Sequence, residues 1–105
     1  MSTRLPGAKY KNVFGSGRVL RGRLMSAWVL RHPDAGRQAG VVVSKKSFHD
    51  AVDRNRAKRI LREAFRQMAD TMPPDCDWVF VGRAALKGRK TQDVVAELRW
   101  MCGRC

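Results

Sequence analysis

The chain has 105 residues, 44% hydrophobic and 30% charged, with 22 Lys and Arg against 9 Asp and Glu, a net charge of +13 at pH 7. That length suits one domain, residues 1–105, and there is no run of about 18 apolar residues to cross a bilayer. Residues 1–5 lack the apolar core of a signal peptide, so the expected location is the cytoplasm, and the expected ligand of so positive a field is a polyanion.

In chain order, residues 8–16 are predicted as a short helix. Tyr10, Val13 and Phe14 fall at i, i+3 and i+4 and share a face, and Gly15 and Gly17 end the helix. Residues 19–23 read as a further short strand. Residues 24–31 are a strand centred on Trp28 and Val29, and the Pro, Asp and Gly of 32–36 make a turn. The β-branched run at 40–44 is a further strand.

Residues 50–69 form the strongest predicted helix. Asp50 or Asp53 caps its start, and Val52, Ile60, Leu61, Ala64, Phe65 and Met68 make its apolar stripe. Met72-Pro73-Pro74 stops it. A strand at 77–82 carries Trp78, Val79, Phe80 and Val81, and a basic loop at 84–90 follows. Thr91 is the expected N-cap of a last helix, with Asp93 in its first turn and Val94, Val95, Leu98 and Met101 on its apolar face. This order describes a mixed α/β domain, one sheet covered by helices.

The segment from Arg54 to Arg66 carries the chemistry. On a helix, Arg54, Lys58 and Arg62 fall at i, i+4 and i+8 as one cationic ridge, and Asn55, Arg59 and Arg66 continue the band. Guanidinium groups bind phosphate oxygens bidentately, which favours arginine for this task. A merely solvated face would interleave acids with bases. Here Asp53 and Glu63 stand alone against Arg54, Arg56, Lys58, Arg59, Arg62 and Arg66. Like charges at i, i+4 repel, a cost that a bound anion would remove. Lys45 and Lys46, at a strand end before this helix, extend the positive surface.

The aromatic residues admit two roles. Trp78 and Phe80 are assigned to the core. Tyr10, Phe14 and Trp28 either join it or line a groove where single-stranded bases stack. No catalytic set is visible. No His stands with a Ser or Cys nucleophile, and the nine acids form no cluster of the kind that holds Mg²⁺. Cys102 and Cys105 have CxxC spacing. A redox pair of this kind opens a helix, and a zinc site needs four ligands. The simpler account has Cys102 packing and Cys105 fraying.

Taken together, Gly40 to Val43, Ser44-Lys45-Lys46, Ala51-Val52, Arg54-Asn55-Arg56, Lys58-Arg59, Arg62-Glu63 and Arg66 closely resemble the signature of the bacterial ribonuclease P protein subunit. Tyr10, Val13, Phe14 and Gly17 match the first-helix pattern of that family, and Trp28 falls at its central-strand aromatic. At Ser47-Phe48-His49-Asp50 the chain departs from the pattern. The resemblance implies an α+β two-layer fold, α-β-β-β-α-β-α, with a four-stranded sheet and a left-handed βαβ crossover, an exception to the right-handed rule. It also implies a function. The protein binds a catalytic RNA, and the holoenzyme, an endoribonuclease, cuts precursor tRNA to leave the mature 5′ end. The catalytic centre and most of the Mg²⁺ then belong to the RNA. Lys45, Lys46, Arg54, Asn55, Arg56, Lys58, Arg59, Arg62 and Arg66 would face that RNA, and Tyr10, Phe14 and Trp28 would hold the 5′ leader. No obligate protein partner and no membrane are implied. The competing functions are a generic structured-RNA binder, resting on charge alone, and a redox enzyme using Cys102 and Cys105.

Overall fold

The computed structural model describes residues 4–103. They form α1 (Gly7–Ser16), β1 (Arg18–Arg21), β2 (Met25–Arg31), β3 (Ala39–Val42), α2 (Ala51–Met68), a 3-10 turn (Ala69–Thr71), β4 (Cys76–Gly82), a second 3-10 turn (Ala84–Leu86) and α3 (Thr91–Cys102). The order is the expected α-β-β-β-α-β-α. The four strands lie in the order β1-β2-β4-β3. β1 with β2 and β2 with β4 are antiparallel, while β3 and β4 are parallel. A parallel pair needs a long crossover, and α2 supplies it. Arg4 bridges Ala39, and the Leu5 N–H donates to the Ala39 carbonyl at 3.0 Å. The start of the chain therefore covers part of the β3 edge, which would otherwise present unpaired amides.

Strand alternation sorts the side chains onto two faces. Met25, Ala27, Val41, Trp78 and Phe80 meet α2 and α3 in the main core. Trp28, Leu30, Val42, Val79 and Val81 lie on the other face, with Leu5, Tyr10 and Val13. Trp78 and Phe80 are core as expected, with stacked rings 5.7 Å apart.

The α2 stripe is as expected at Ile60, Leu61, Ala64, Phe65 and Met68, with Ala57 added. Each large apolar side chain buried this way contributes about 1.5–3 kcal/mol. Val52 is a correction: it is 76% exposed. At about 100° per residue it falls on the side of α2 that carries Asn55, Arg59 and Arg66, away from the sheet. Two caps also differ. Asp50 holds the α2 cap position but its side chain makes no capping hydrogen bond. Lys90, not Thr91, is the cap of α3, and its N–H donates to Asp93 Oδ2 at 3.0 Å. The carboxylate at N3 reaches back to the cap amide, so the helix needs no hydroxyl at Thr91. The α3 face of Val94, Val95, Leu98 and Met101 is buried as expected.

Two acids pin loops from within. Glu97 on α3 accepts the backbone N–H groups of Arg23, Leu24 and Met25 at 3.0–3.1 Å, which fastens the β1–β2 turn. A Cβ on Gly22 would lie 2.1 Å from Glu97 Oε1, so a larger residue there would push the carboxylate off these amides. Asp77, fully buried, is hydrogen-bonded at 3.1 Å to His32 Nε2 and accepts the N–H groups of Gly36 and Gln38 at 3.1 and 3.4 Å. That shapes the β2–β3 connection. Acids engaged in this way do not neutralise surface cations. Between described residues, only Arg31–Asp75 and Arg66–Glu63 join an arginine to a carboxylate. The excess of base is therefore an outward field.

Candidate nucleic-acid interface

Its centre is a groove between α2 and the outer edge of β3, about 510 Å³ in volume. Asn55, Lys58, Arg59, Arg62, Glu63 and Arg66 line it from the helix, and Arg4 and Ala39 from the chain start and β3. The helix period causes this: these α2 positions run beside the apolar stripe, on the flank toward the β3 edge where Phe65 also lines the groove. Lys58, Arg59 and Arg62 make no ion pair with any described residue, so their donors are open. A concave surface with open guanidinium and ammonium groups suits phosphate oxygens. Arg4 was not anticipated. It stands two residues before Pro6, outside any periodic segment, and its bridge to Ala39 brings it to the groove.

One acid lies in the groove. Glu63 accepts from Arg66 Nε at 2.9 Å and also from Arg66 Nη2. The Arg66 hydrogen bond, seconded by Gln67, holds the Glu63 carboxyl below the ordinary carboxylate range, and the pair raises the Arg66 guanidinium. Both stay charged at neutral pH, and the field of Arg66 is partly cancelled. Both are well hydrated, so the pair is weak. Glu63→Gln is expected to tighten RNA binding by roughly two- to fivefold, the scale of one surface charge pair. The salt dependence should steepen by up to about 0.7–0.9 in log–log slope. Binding isotherms at several salt concentrations check this; an unchanged slope would place Arg66 off the RNA.

The other basic residues are placed differently. Arg54 Nη1 donates to the carbonyls of Phe48 and His49, both at 2.9 Å. It clamps the turn after β3 onto α2, where Phe48 is buried. Arg56 lies on the opposite flank of α2, beside Phe48, Leu86, Lys87 and Gly88. Lys45 and Lys46 are exposed in the turn between β3 and α2. None of these four lines the groove. The structure thus gathers Asn55, Lys58, Arg59, Arg62 and Arg66 and sets Lys45, Lys46, Arg54 and Arg56 around them.

The aromatic trio comes together on the other sheet face. Phe14 and Trp28 meet edge to face, with centroids 5.2 Å apart at 72°. Phe14 is 39% exposed, and Tyr10 and Trp28 are half-buried. Phe14 thus stands exposed, while Tyr10 and Trp28 pack partly against the small core of Leu5, Val13 and Val79. Val13 is the one buried residue of α1, so the helix stands on a narrow foot. Val42 and Val81, partly exposed and paired in register, form a floor beside it. Strand alternation alone would have put these two valines on the face of Val79.

Tyr10 lies directly over Gly40. A Cβ there would sit 2.2 Å from Tyr10 Cζ, nearer than any real contact. Gly40→Ala is expected to expel the ring from β3, destabilising the protein and weakening single-strand binding together. In a Tyr10→Ala background the same change should be close to neutral, a coupling of about 0.5–3 kcal/mol by double-mutant cycle. Additive losses would show that Gly40 matters for some other reason.

No group of three or more His, Cys, Asp or Glu able to hold a metal exists among the described residues, and no helix there is long and apolar enough to cross a membrane. Cys76 is buried in β4 and Cys102 packs partly against the core. The other half of the CxxC, Cys105, lies outside the described residues.

Comparison with known proteins supplies the kinship. A family model described as Ribonuclease P matches residues 5–105. The ribonuclease P protein component of Thioalkalivibrio sulfidiphilus is 36% identical over 90 residues, covering 86% of this chain and 74% of that protein. That of Desulfotalea psychrophila is 32% identical over 97 residues, covering 92% and 80%. Among solved structures, the RNase P protein from Thermotoga maritima superposes with a TM-score of 0.83 at 24% identity, over 97% of this chain and 96% of that one. A Staphylococcus aureus RNase P protein mutant gives 0.78 at 25% identity, over 93% and 83%. Matched along nearly its whole length in sequence and in fold, the chain belongs to the ribonuclease P protein component family.

Proposed function

We propose that the chain is the protein subunit of a cytoplasmic ribonuclease P, acting as one RNA-binding domain that assists endonucleolytic removal of the 5′ leader from precursor tRNA. The observation that carries this is the α2 groove, where Lys58, Arg59 and Arg62 form no ion pair with any described residue. Phosphates of the catalytic RNA would enter it, with Asn55 as neutral donor and Arg66 beside Glu63. Lys45, Lys46 and Arg56 would touch neighbouring backbone, and Arg54 would hold the turn that presents the two lysines. Unpaired leader bases would stack in the cleft of Tyr10, Phe14 and Trp28 over Val42 and Val81. Aromatic faces accept any base, which suits leaders of differing sequence.

The donor set does not fit a protein-held Mg²⁺, because the acids are scattered or engaged with backbone amides. The metal and the catalytic centre are assigned to the RNA, and the chain's own work is to bind and position. No obligate protein partner is invoked.

Reconstitution with the catalytic RNA at low Mg²⁺ tests this. The protein should raise precursor-tRNA cleavage well above the RNA alone; no gain sinks the assignment. Trp28→Ala should weaken leader-bearing substrate by roughly 5- to 150-fold, the equivalent of one lost stack. Mature tRNA should change little. Equal losses for both would reduce Trp28 to packing.

A further inference from the structure

Trp100 is the one large aromatic on the outer side of α3, 48% exposed. Ala96 lies one helical turn before it on the same side. With Arg21, Gly22, Arg23 and Glu97 they enclose an open groove of about 410 Å³. Gly22 and Ala96 leave space beside the indole, and a larger residue at Gly22 would displace the Glu97 carboxylate that lies against it. Glu97, the single acid in the lining, has both oxygens on the amides of residues 23–25. It forms no ion pair with Arg21 or Arg23, and neither guanidinium has a carboxylate partner among the described residues. The groove is thus an indole wall, a small-residue floor and a cationic rim.

Its position separates it from the other surfaces. β1 and β3 are opposite edges of the sheet, about 14 Å apart at three strand spacings. The α2 groove lies at the β3 edge and this one beside β1 and α3, so a different stretch of polynucleotide would have to occupy it.

We propose that this groove is a second single-strand RNA site, taking one unpaired nucleotide whose base stacks on Trp100 and whose phosphates meet Arg21 and Arg23. It rests on the RNA-binding function above but uses residues which that function does not. A volume of this order suits one nucleotide, since small-ligand clefts occupy about 300–1,000 Å³. A protein partner fits poorly, because a stable interface buries about 800 Å² on each side and here one indole stands among arginines. Stacking is tolerant of base identity, so the site would select for unpaired rather than for particular nucleotides.

Tryptophan emission reads the site directly. Trp28→Phe removes the cleft indole and Trp78 is fully buried, so quenching of that variant by a short oligouridylate reports Trp100. Salt-sensitive quenching is expected, and it should vanish in W28F/W100F. Trp100→Ala should also weaken either the catalytic RNA or precursor tRNA by roughly 5- to 150-fold, while Trp100→Phe keeps most of the affinity. Which RNA responds identifies the source of the nucleotide. No quenching in the Trp28→Phe protein, or changes below twofold for both RNAs, overturns the site. So does self-association abolished by Trp100→Ala, which would assign the groove to a second copy. If the wild-type protein still binds the catalytic RNA, the failure is of this site alone; if it does not, the RNA-binding function has failed with it.

Discussion

Replacing Lys58, Arg59 and Arg62 together by glutamine is expected to weaken binding of the catalytic RNA by on the order of 100-fold at moderate salt. Each charge-assisted hydrogen bond contributes about 1.5–3 kcal/mol, and each 1.4 kcal/mol is about tenfold. Three fully additive losses would exceed the estimate, but contacts on one helix face share partners and couple. The log–log salt slope should flatten by about 2–3 units if each side chain neutralises one phosphate. Glutamine keeps an unbranched polar side chain and a similar helix propensity, and like-charge repulsion along α2 is relieved. The variant should therefore melt no lower than the wild type. Affinity titrations at several salt concentrations, with a thermal melt as control, check both parts. A weak effect with an unchanged slope would show that the groove does not carry phosphate.

The second large effect concerns the support behind that groove. Phe65 is 2% exposed, and its ring packs on Phe80 with centroids 5.9 Å apart. It joins the helix that presents the cations to the strand that centres the sheet. Phe65→Ala is expected to destabilise the fold by about 3–5 kcal/mol through lost transfer energy and a residual cavity. A domain of this size has about 5–15 kcal/mol in all, so much of the margin goes. The melting temperature should fall by roughly 12–40 °C, at about 4–8 °C per kcal/mol. Catalytic RNA at 100 times its Kd should restore about 2.7 kcal/mol, because it binds only the folded chain. A fall of only a few degrees would mean that the ring does not strut α2.

Much of this was legible in the residue pattern. The α2 stripe from Ile60 to Met68, the α3 face of Val94, Val95, Leu98 and Met101, and the core placement of Trp78 and Phe80 all follow from helical or strand period. The uncompensated cations of α2 follow from composition along that period. The pattern misled at Val52, which was grouped with apolar residues although its helical angle points away from the sheet. The family resemblance set Arg54 and Arg56 on one RNA-facing surface, yet Arg54 clamps the carbonyls of Phe48 and His49 and Arg56 turns to the flank of Lys87.

Periodicity reports what a residue shares with neighbours on its own helix or strand, and that is enough to place the apolar stripe, the basic band and the three rings on their elements. It carries no information about which element arrives opposite. Closure of the β1-β2-β4-β3 sheet set Tyr10 over Gly40, brought Arg4 to the α2 groove through Ala39, and drew Glu97 to the β1–β2 turn. Those contacts join residues far apart along the chain. They exist only because burying the faces of the sheet forces distant segments together, and so only the tertiary structure decided them.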